Sequence, residues 1–472
     1  MLIAGTVKLY YLNMIERDLN RYADKLRGYT ELRLQENRNL NINLLNGTLM
    51  ANAKTSLLGT SVRVYDKGGW GFASAPGTGP DAVSYCLGRA AENAAFLSAR
   101  RNSEKLDIAL PPVRSEHEIL TVKPRSTQKE IVDFLRETDQ YIVSNCRNIF
   151  SRRLWFGALE YEKSLLTSEG SSVYSLIPRT RIVIFLSAEK DGKRAELRKI
   201  IGAGRQFEDT FGDGAALRSE LDSLFEHLNN KLDGVFPDAG EWDCVLAPEM
   251  SGMLAHEAIG HTAEADSVLS GAVTRDKLGK QVASPIISLT DFAHTAFGAA
   301  CPVPILADDE GAGASDVPII RNGVLESYLH NRESAALMGG KACGNARAAT
   351  FGDEPIIRMR NTAILPGKDS LEDMISSVDR GYLLLGSGDG QADSTGEFLF
   401  GVTIGYEIRS GRVGRAIKDT TISGLAYDVL NSAKTVSNRF EWLNGGMCSK
   451  PQMVTVGMGG PDILCRARLG GK

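Results

Sequence analysis

The chain is poor in paired cysteine spacings, in net charge and in long apolar runs, and each shortage removes a class of function. Seven cysteines scattered over 472 residues form no C-x-x-C or other paired pattern, so a disulfide framework is excluded and the thiols read as reduced. Formal net charge is only −4, from 54 basic and 58 acidic residues. Lys8, Arg17, Arg21, Lys25 and Arg27 are interleaved with acids, which makes a solvated face rather than a nucleic-acid footprint. No run approaches the roughly 18 apolar residues that span a bilayer. Met1 to Tyr11 lacks a long apolar stretch with a small-residue cleavage site, and Glu16, Arg17 and Asp18 follow soon after. A cytoplasmic protein that engages neither nucleic acid nor membrane is expected. No fixed-period repeat or low-complexity tract is present.

Histidine is also scarce, with six in the whole chain, yet two of them fall in His256-Glu257-Ala258-Ile259-Gly260-His261. Two imidazoles beside a carboxylate can hold a metal ion and activate water on it. In H-E-x-x-H the histidines are i and i+4, about 40° apart around a helix, so both face one ion. Here the spacing is i and i+5, about 140° on a regular α-helix. One residue must be absorbed, and a π-bulge does so locally, with Gly260 lowering the steric cost. Against this stands the plain reading of a short helix carrying ordinary surface histidines.

The flanks predict an ordered, buried helix. Trp242 to Leu246 reads as a short strand, and Pro248-Glu249 supplies a first-turn proline and an early carboxylate. Ser251 to Ala265 continues with small and apolar residues, Met253, Leu254, Ala258 and Ile259 forming the inner side. Catalytic zinc usually has three protein ligands plus water, so a third must come from elsewhere. Spacing alone leaves Glu264, Asp266, His294, His330 and the cysteines open.

Hydrophobic periodicity predicts an α+β chain in two domains, residues 1–235 and 236–472, divided at the Gly/Pro/Asp stretch from Asp233 to Gly240. The first is an α/β domain. Helical patterns cover 11–27, 79–103, 127–146 and 214–232. Glu31 to Met50 alternates and breaks at Asn46-Gly47, a hairpin signal, and strands including Arg181 to Ala188 turn at Asp191-Gly192. The second is strand-rich and barrel-like and carries the metal helix, with β-prone segments at 285–289, 317–330, 354–360 and 398–408. Gly386-Ser387-Gly388-Asp389-Gly390 lacks the lysine and helix start of a P-loop, so it reads as a turn near the site and no nucleotide is assigned.

The chain resembles the active, TldD-type branch of the TldD/PmbA family of metallopeptidases. The matching segments are His256 to His261, Asp308-Asp309-Glu310-Gly311, Ile320 to Leu325 with Tyr328-Leu329, Ile364-Leu365-Pro366-Gly367, and Gly446-Met447-Cys448. Gly59 to Val64 and Trp70 to Ala73 match more loosely. The resemblance implies one zinc held by His256, His261 and Cys448, and the inactive branch lacks the H-E-x-x-x-H motif. After Cys448 the family often has Gly-Lys, where this chain has Ser449-Lys450-Pro451. Glycines 445 and 446 give the backbone freedom to bring a thiolate to a distant helix. Cys244, Cys86 and Cys301 sit in apolar surroundings and read as buried.

From these residues a mechanism is expected in which Glu257 takes a proton from metal-activated water and passes it to the leaving amine. Thiolate donation moderates the ion's Lewis acidity, which favours slow cleavage of unfolded peptides over digestion of folded proteins. The resemblance implies the same: unfolded peptides and leader segments cut in a chamber between two subunits, as a homodimer or a heterodimer with an inactive relative. The alternative is a non-catalytic regulatory or scaffolding partner, of the DNA gyrase modulator type, with a structural metal. Glu257 argues against it, because a structural site has no use for a general base.

Overall fold

The computed structural model describes residues 15–100, 106–212, 214–443 and 445–471. Its first half is a sheet of very long strands. Tyr29–Leu45 and Thr48–Asp66 are joined at Asn46-Gly47, both with positive φ (49° and 78°), the signature of a hairpin whose turn matches strand twist. Strands Gly69–Pro76, Ile149–Thr167, Ser172–Lys190 and Lys193–Ala203 extend the sheet in antiparallel fashion, and Arg114–Glu118 joins in parallel. Even-numbered residues of the first strand, Leu32, Leu34, Ile42 and Leu44, are fully buried under helices. Helix Pro80–Ser98 covers one end. Helices Gln128–Asn145 and Ala215–Leu232 cover the other, the former started by a Thr127/Glu130 capping box.

Odd-numbered residues Glu31, Arg33, Gln35 and Asn37 of the same strand face the second half and are polar. Arg33 donates to the carbonyls of Thr350 and Asp353, and Gln35 and Asn37 donate to that of Ala349. Glu31 pairs with Arg63, which also binds Glu310, while Lys163 bonds Asp309 at 2.7 Å. Alternation along one strand therefore separates an apolar core from a buried polar seam between the halves.

In the second half, strands Gly240–Leu246, Arg380–Ala392, Glu397–Arg409, Thr420–Leu425 and Ile463–Leu469 close into a five-stranded barrel. A separate sheet contains Leu289–Phe292, Val317–Arg321, Asn361–Ile364 and Gly457–Gly460. The helical segment after Leu246 lies at the junction of barrel and sheet. Met250, Leu254, Ala258 and Ile259 share a cluster with Phe398, Phe400 and Ile422 of the barrel. Gly252 packs so closely on Gly459 that an added Cβ would lie 3.0 Å from its nitrogen.

Several expectations need correction. The helix expected over 11–27 is a six-residue 3-10 helix, Asn20–Lys25; residues 11–14 lie outside those described. Ile15, Leu19, Tyr22 and Leu26 have helical spacing but serve as anchors into the core beneath the sheet. Gly386 to Gly390 is not a turn but part of the barrel strand Arg380–Ala392, with register irregularities. Gly388 lies against Gly401, where a Cβ would meet its Cα at 3.2 Å, so glycine here permits close strand pairing and bulging. Segments 285–289 and 354–360 are mostly irregular; only Leu289 and Ile356–Ile357 are in strands.

Candidate metal centre

Pro248 and Glu249 open an α-helix that runs only to Met253. Leu254–Gly260 is a π-helix, and His261–Ala263 continues as a 3-10 turn, so the expected single helix is three pieces. The extra residue is absorbed by an i→i+5 bond: the amide of His261 donates to the carbonyl of His256. That bond stacks the two histidines on one face, with ring centroids 5.1 Å apart. Gly260 packs tightly, because a Cβ there would lie 1.9 Å from the Met359 sulfur and that side chain would have to shift.

The thiolate arrives from strand Met447–Cys448, which pairs with Val454–Thr455. Fully buried Arg358 fixes this segment, its guanidinium donating to the carbonyls of Cys448 (2.8 Å), Lys450 (2.6 Å) and Gln452 (2.6 Å). Sequence reading passed over Arg358; a lone arginine in a β-prone segment carries no local signal of that role.

Donor atoms of His256, His261 and Cys448 all lie within 4.8 Å of one another. Cys448 Sγ is 3.2 Å from His261 Nε2. His256 is completely buried, and neither of its ring nitrogens makes a hydrogen bond of ordinary geometry among the described residues. Leaving buried imidazole nitrogens unmatched costs about 1–3 kcal/mol, which a cation at the centre of the trio would recover. Two imidazoles and a thiolate form a donor set suited to zinc, so the residues fit a metal.

The remaining candidates do not join the trio. Glu264 backs His261, accepting from its Nδ1 at 2.9 Å, and Asp266 is taken by Lys450 at 2.7 Å. His330 turns to Ser334, and His294 lies outside the group. Burial pushes the Cys448 thiol up, but the His256 and His261 rings outweigh it and bring it down to about 4. Burial likewise lowers His261, but Glu264 and Cys448 overcome it and raise the imidazole to about 10. Both directions favour a thiolate beside a protonated imidazole in the metal-free chain.

Glu257 projects from the same π-turn, one oxygen 3.7 Å from His261 Nε2, without joining the trio. It lines a cleft of about 910 Å³ together with His261, Cys448, Trp442 and the bulged strand Ser387 to Gln391. No helix among the described residues is long and apolar enough to cross a membrane.

Two stretches of the sequence match models of metallopeptidase domains. Residues 239–469 match the PmbA/TldA metallopeptidase C-terminal domain, and residues 30–94 match PmbA/TldA metallopeptidase domain 1. The chain is 30% identical to a metalloprotease of Methanothermobacter thermautotrophicus, over 98% of both proteins. It is 26% identical to a zinc metalloprotease TldD homolog of Saccharolobus solfataricus, covering 88% of this chain and 90% of that one. The chain belongs to the TldD/PmbA family. The fold is shared with TldE from Thermococcus kodakarensis (TM-score 0.75, 19% identity, 96% of this chain and 98% of that one). It is also shared with a Thermotoga maritima protein described as a modulator of a DNA gyrase (TM-score 0.72, 18% identity, 94% and 96%).

Proposed function

We propose that this chain is a zinc-dependent peptidase that hydrolyses unfolded peptides or leader segments. His256, His261 and Cys448 hold one zinc, and Glu257 is the general base. The observation that carries this reading is the trio itself: three donors within 4.8 Å, one a buried histidine with unmatched ring nitrogens, beside a carboxylate on an open cleft. Bound zinc supplies a Lewis acid and lowers the pKa of water. Glu257, outside the donor trio and facing the cleft, accepts the proton of the attacking water and returns it to the departing amine. Glu264 keeps His261 in the tautomer whose Nε2 faces the site. A cleft of about 910 Å³ suits an extended segment better than a folded domain.

The same reading divides the chain at 235/236 and puts the protein in the cytoplasm, supported by seven free, buried cysteines. Its partner is a second copy or an inactive relative of the same fold.

The test is Glu257→Gln beside the parent chain, measuring zinc content and cleavage of a disordered peptide. Zinc should stay while turnover falls about 10²–10⁴-fold. Undiminished cleavage by the zinc-loaded variant would remove Glu257 from the mechanism. Stoichiometric capture of an uncut partner, equal in both proteins and without any cleavage, would favour the regulatory reading suggested by the gyrase-modulator relative.

A further inference from the structure

Glu264 and Lys450 make a connection that ligation alone does not use. Glu264 is fully buried, and its Oε2 accepts from both His261 Nδ1 and Lys450 Nζ, each at 2.9 Å. Lys450 also bonds both oxygens of Asp266 at 2.7 Å. Glu264 lies three residues beyond His261, and Lys450 two beyond Cys448. The bonds therefore tie the segment bearing the imidazole to the one bearing the thiolate across 186 residues of sequence. A carboxylate on Nδ1 fixes the tautomer and ring angle that present Nε2 to the site. Arg358 holds the carbonyls of both Cys448 (2.8 Å) and Lys450 (2.6 Å), so the lysine that meets this carboxylate sits on the same anchored segment as the thiolate.

We propose that Lys450 and Glu264 are positioning residues that form a latch, making the orientation of His261 for zinc depend on the seating of the Cys448 segment. The inference rests on the ligation by His256, His261 and Cys448 proposed above. Its physical content is preorganisation: imidazole and thiolate are offered to the ion as one unit, so less ordering is left to be done on binding. A purely stabilising ion pair would be satisfied by the more exposed Asp266 and would not need a buried carboxylate shared with a histidine.

The experiment uses the full chain, stripped by chelation and titrated with zinc against a chromophoric competitor, with thermal unfolding of each variant. Lys450→Met and Glu264→Gln should weaken zinc binding about 10–100-fold, and Lys450→Arg should restore most of the loss. In a Cys448→Ala background the effect of Lys450→Met should shrink to within threefold, because the coupled ligand is gone. A lower Tm with zinc affinity within threefold of the parent, or an undiminished Lys450→Met effect in the Cys448→Ala background, would overturn the latch. If Glu264→Gln does not fold, Lys450→Met decides alone. A parent chain that binds no zinc removes the ligation and the latch together, whereas tight parental binding unaffected by Lys450→Met removes only the latch.

Discussion

The cluster around His256 and the cluster around Glu310 are made from the same kinds of buried polar groups, yet both carboxylate oxygens of Glu310 are bound, whereas His256 and Glu264 keep atoms without a hydrogen bond of ordinary geometry. At Glu310, Oε1 is bound by Arg63 and Oε2 by the Arg332 amide at 2.9 Å. Arg332 continues to Glu169 at 2.6 Å, Glu31 is held by Arg63 and Tyr29, and both guanidiniums lie over aromatic rings. At the other cluster, neither nitrogen of fully buried His256 has a hydrogen bond of ordinary geometry among the described residues, although the ring acts on the Cys448 sulfur, and Glu264 Oε1 is unmatched. The Glu310 network joins the two halves of the fold, although Arg63 Nε meets Glu31 only as an ion pair at 3.0 Å and Arg33 and Gln35 of the same seam also keep atoms without a hydrogen bond. The His256 cluster borders the cleft, and its unmet bonding capacity is what a cation would meet.

The largest contrast should appear in thiol chemistry. In the metal-free chain Cys448 should alkylate at pH 6 on the order of 10³-fold faster than Cys86 or Cys146, whose thiols burial raises to about 11. Because its folded pKa is depressed, the thiolate persists at neutral pH and is lost only as pH falls through about 4; zinc should block the labelling. Mass spectrometry of tryptic peptides reads the site, and equal labelling of all three would end the contrast.

Next in size, Glu310→Ala should destabilise the chain by about 3–5 kcal/mol in urea unfolding, because it leaves Arg63 to share Glu31 alone and the buried Arg332 amide without its acceptor. Zinc affinity of the folded fraction should stay within threefold of the parent. A mild loss, under about 1 kcal/mol, would mean that the seam is not what joins the halves.

Gly260→Ala should cost about 1–3 kcal/mol through overpacking on Met359. It should also lower zinc occupancy, since relief of the clash moves the adjacent His261. Retained occupancy with lost stability would separate packing from ligation at this residue.

The smallest effect is the sharpest test. His256→Leu should abolish zinc binding yet leave the metal-free chain within about 1 kcal/mol of the parent, or more stable, because unmatched ring nitrogens are exchanged for apolar atoms of similar size. A substantial loss of stability without metal would show that His256 already has partners and that the cluster is closed after all.

Much of this was legible in local pattern. Asn46-Gly47 marked its hairpin, Pro248-Glu249 its helix start, and the i,i+5 histidines demanded the irregular turn that Leu254–Gly260 provides. What stayed hidden was set by contacts far apart in the chain. Glu264 was weighed as a ligand because it is near His261 in sequence; its supporting role depends on Lys450, 186 residues away. Asp308-Asp309-Glu310-Gly311 has no chemistry readable from spacing, since its carboxylates cap amides at Ala312, Ala346 and Ala348 and meet Arg63 and Lys163 from the other half. Gly386 to Gly390 misled because glycine clusters mark turns more often than strands that pair backbone against backbone.

The π-turn is also an accounting of register along the chain. Each residue of an α-helix advances the side chains by about 100°, so one surplus residue re-aims everything beyond it. Removing a residue between His256 and His261 would give the commoner i,i+4 pair, yet it would shift the phase of His261, Thr262 and Glu264 against Cys448, Tyr427 and Lys450, their present neighbours. A one-residue deletion here therefore cannot be neutral. Lengthening or shortening this stretch requires simultaneous change in the distant strand, which ties two remote parts of the sequence to a common length.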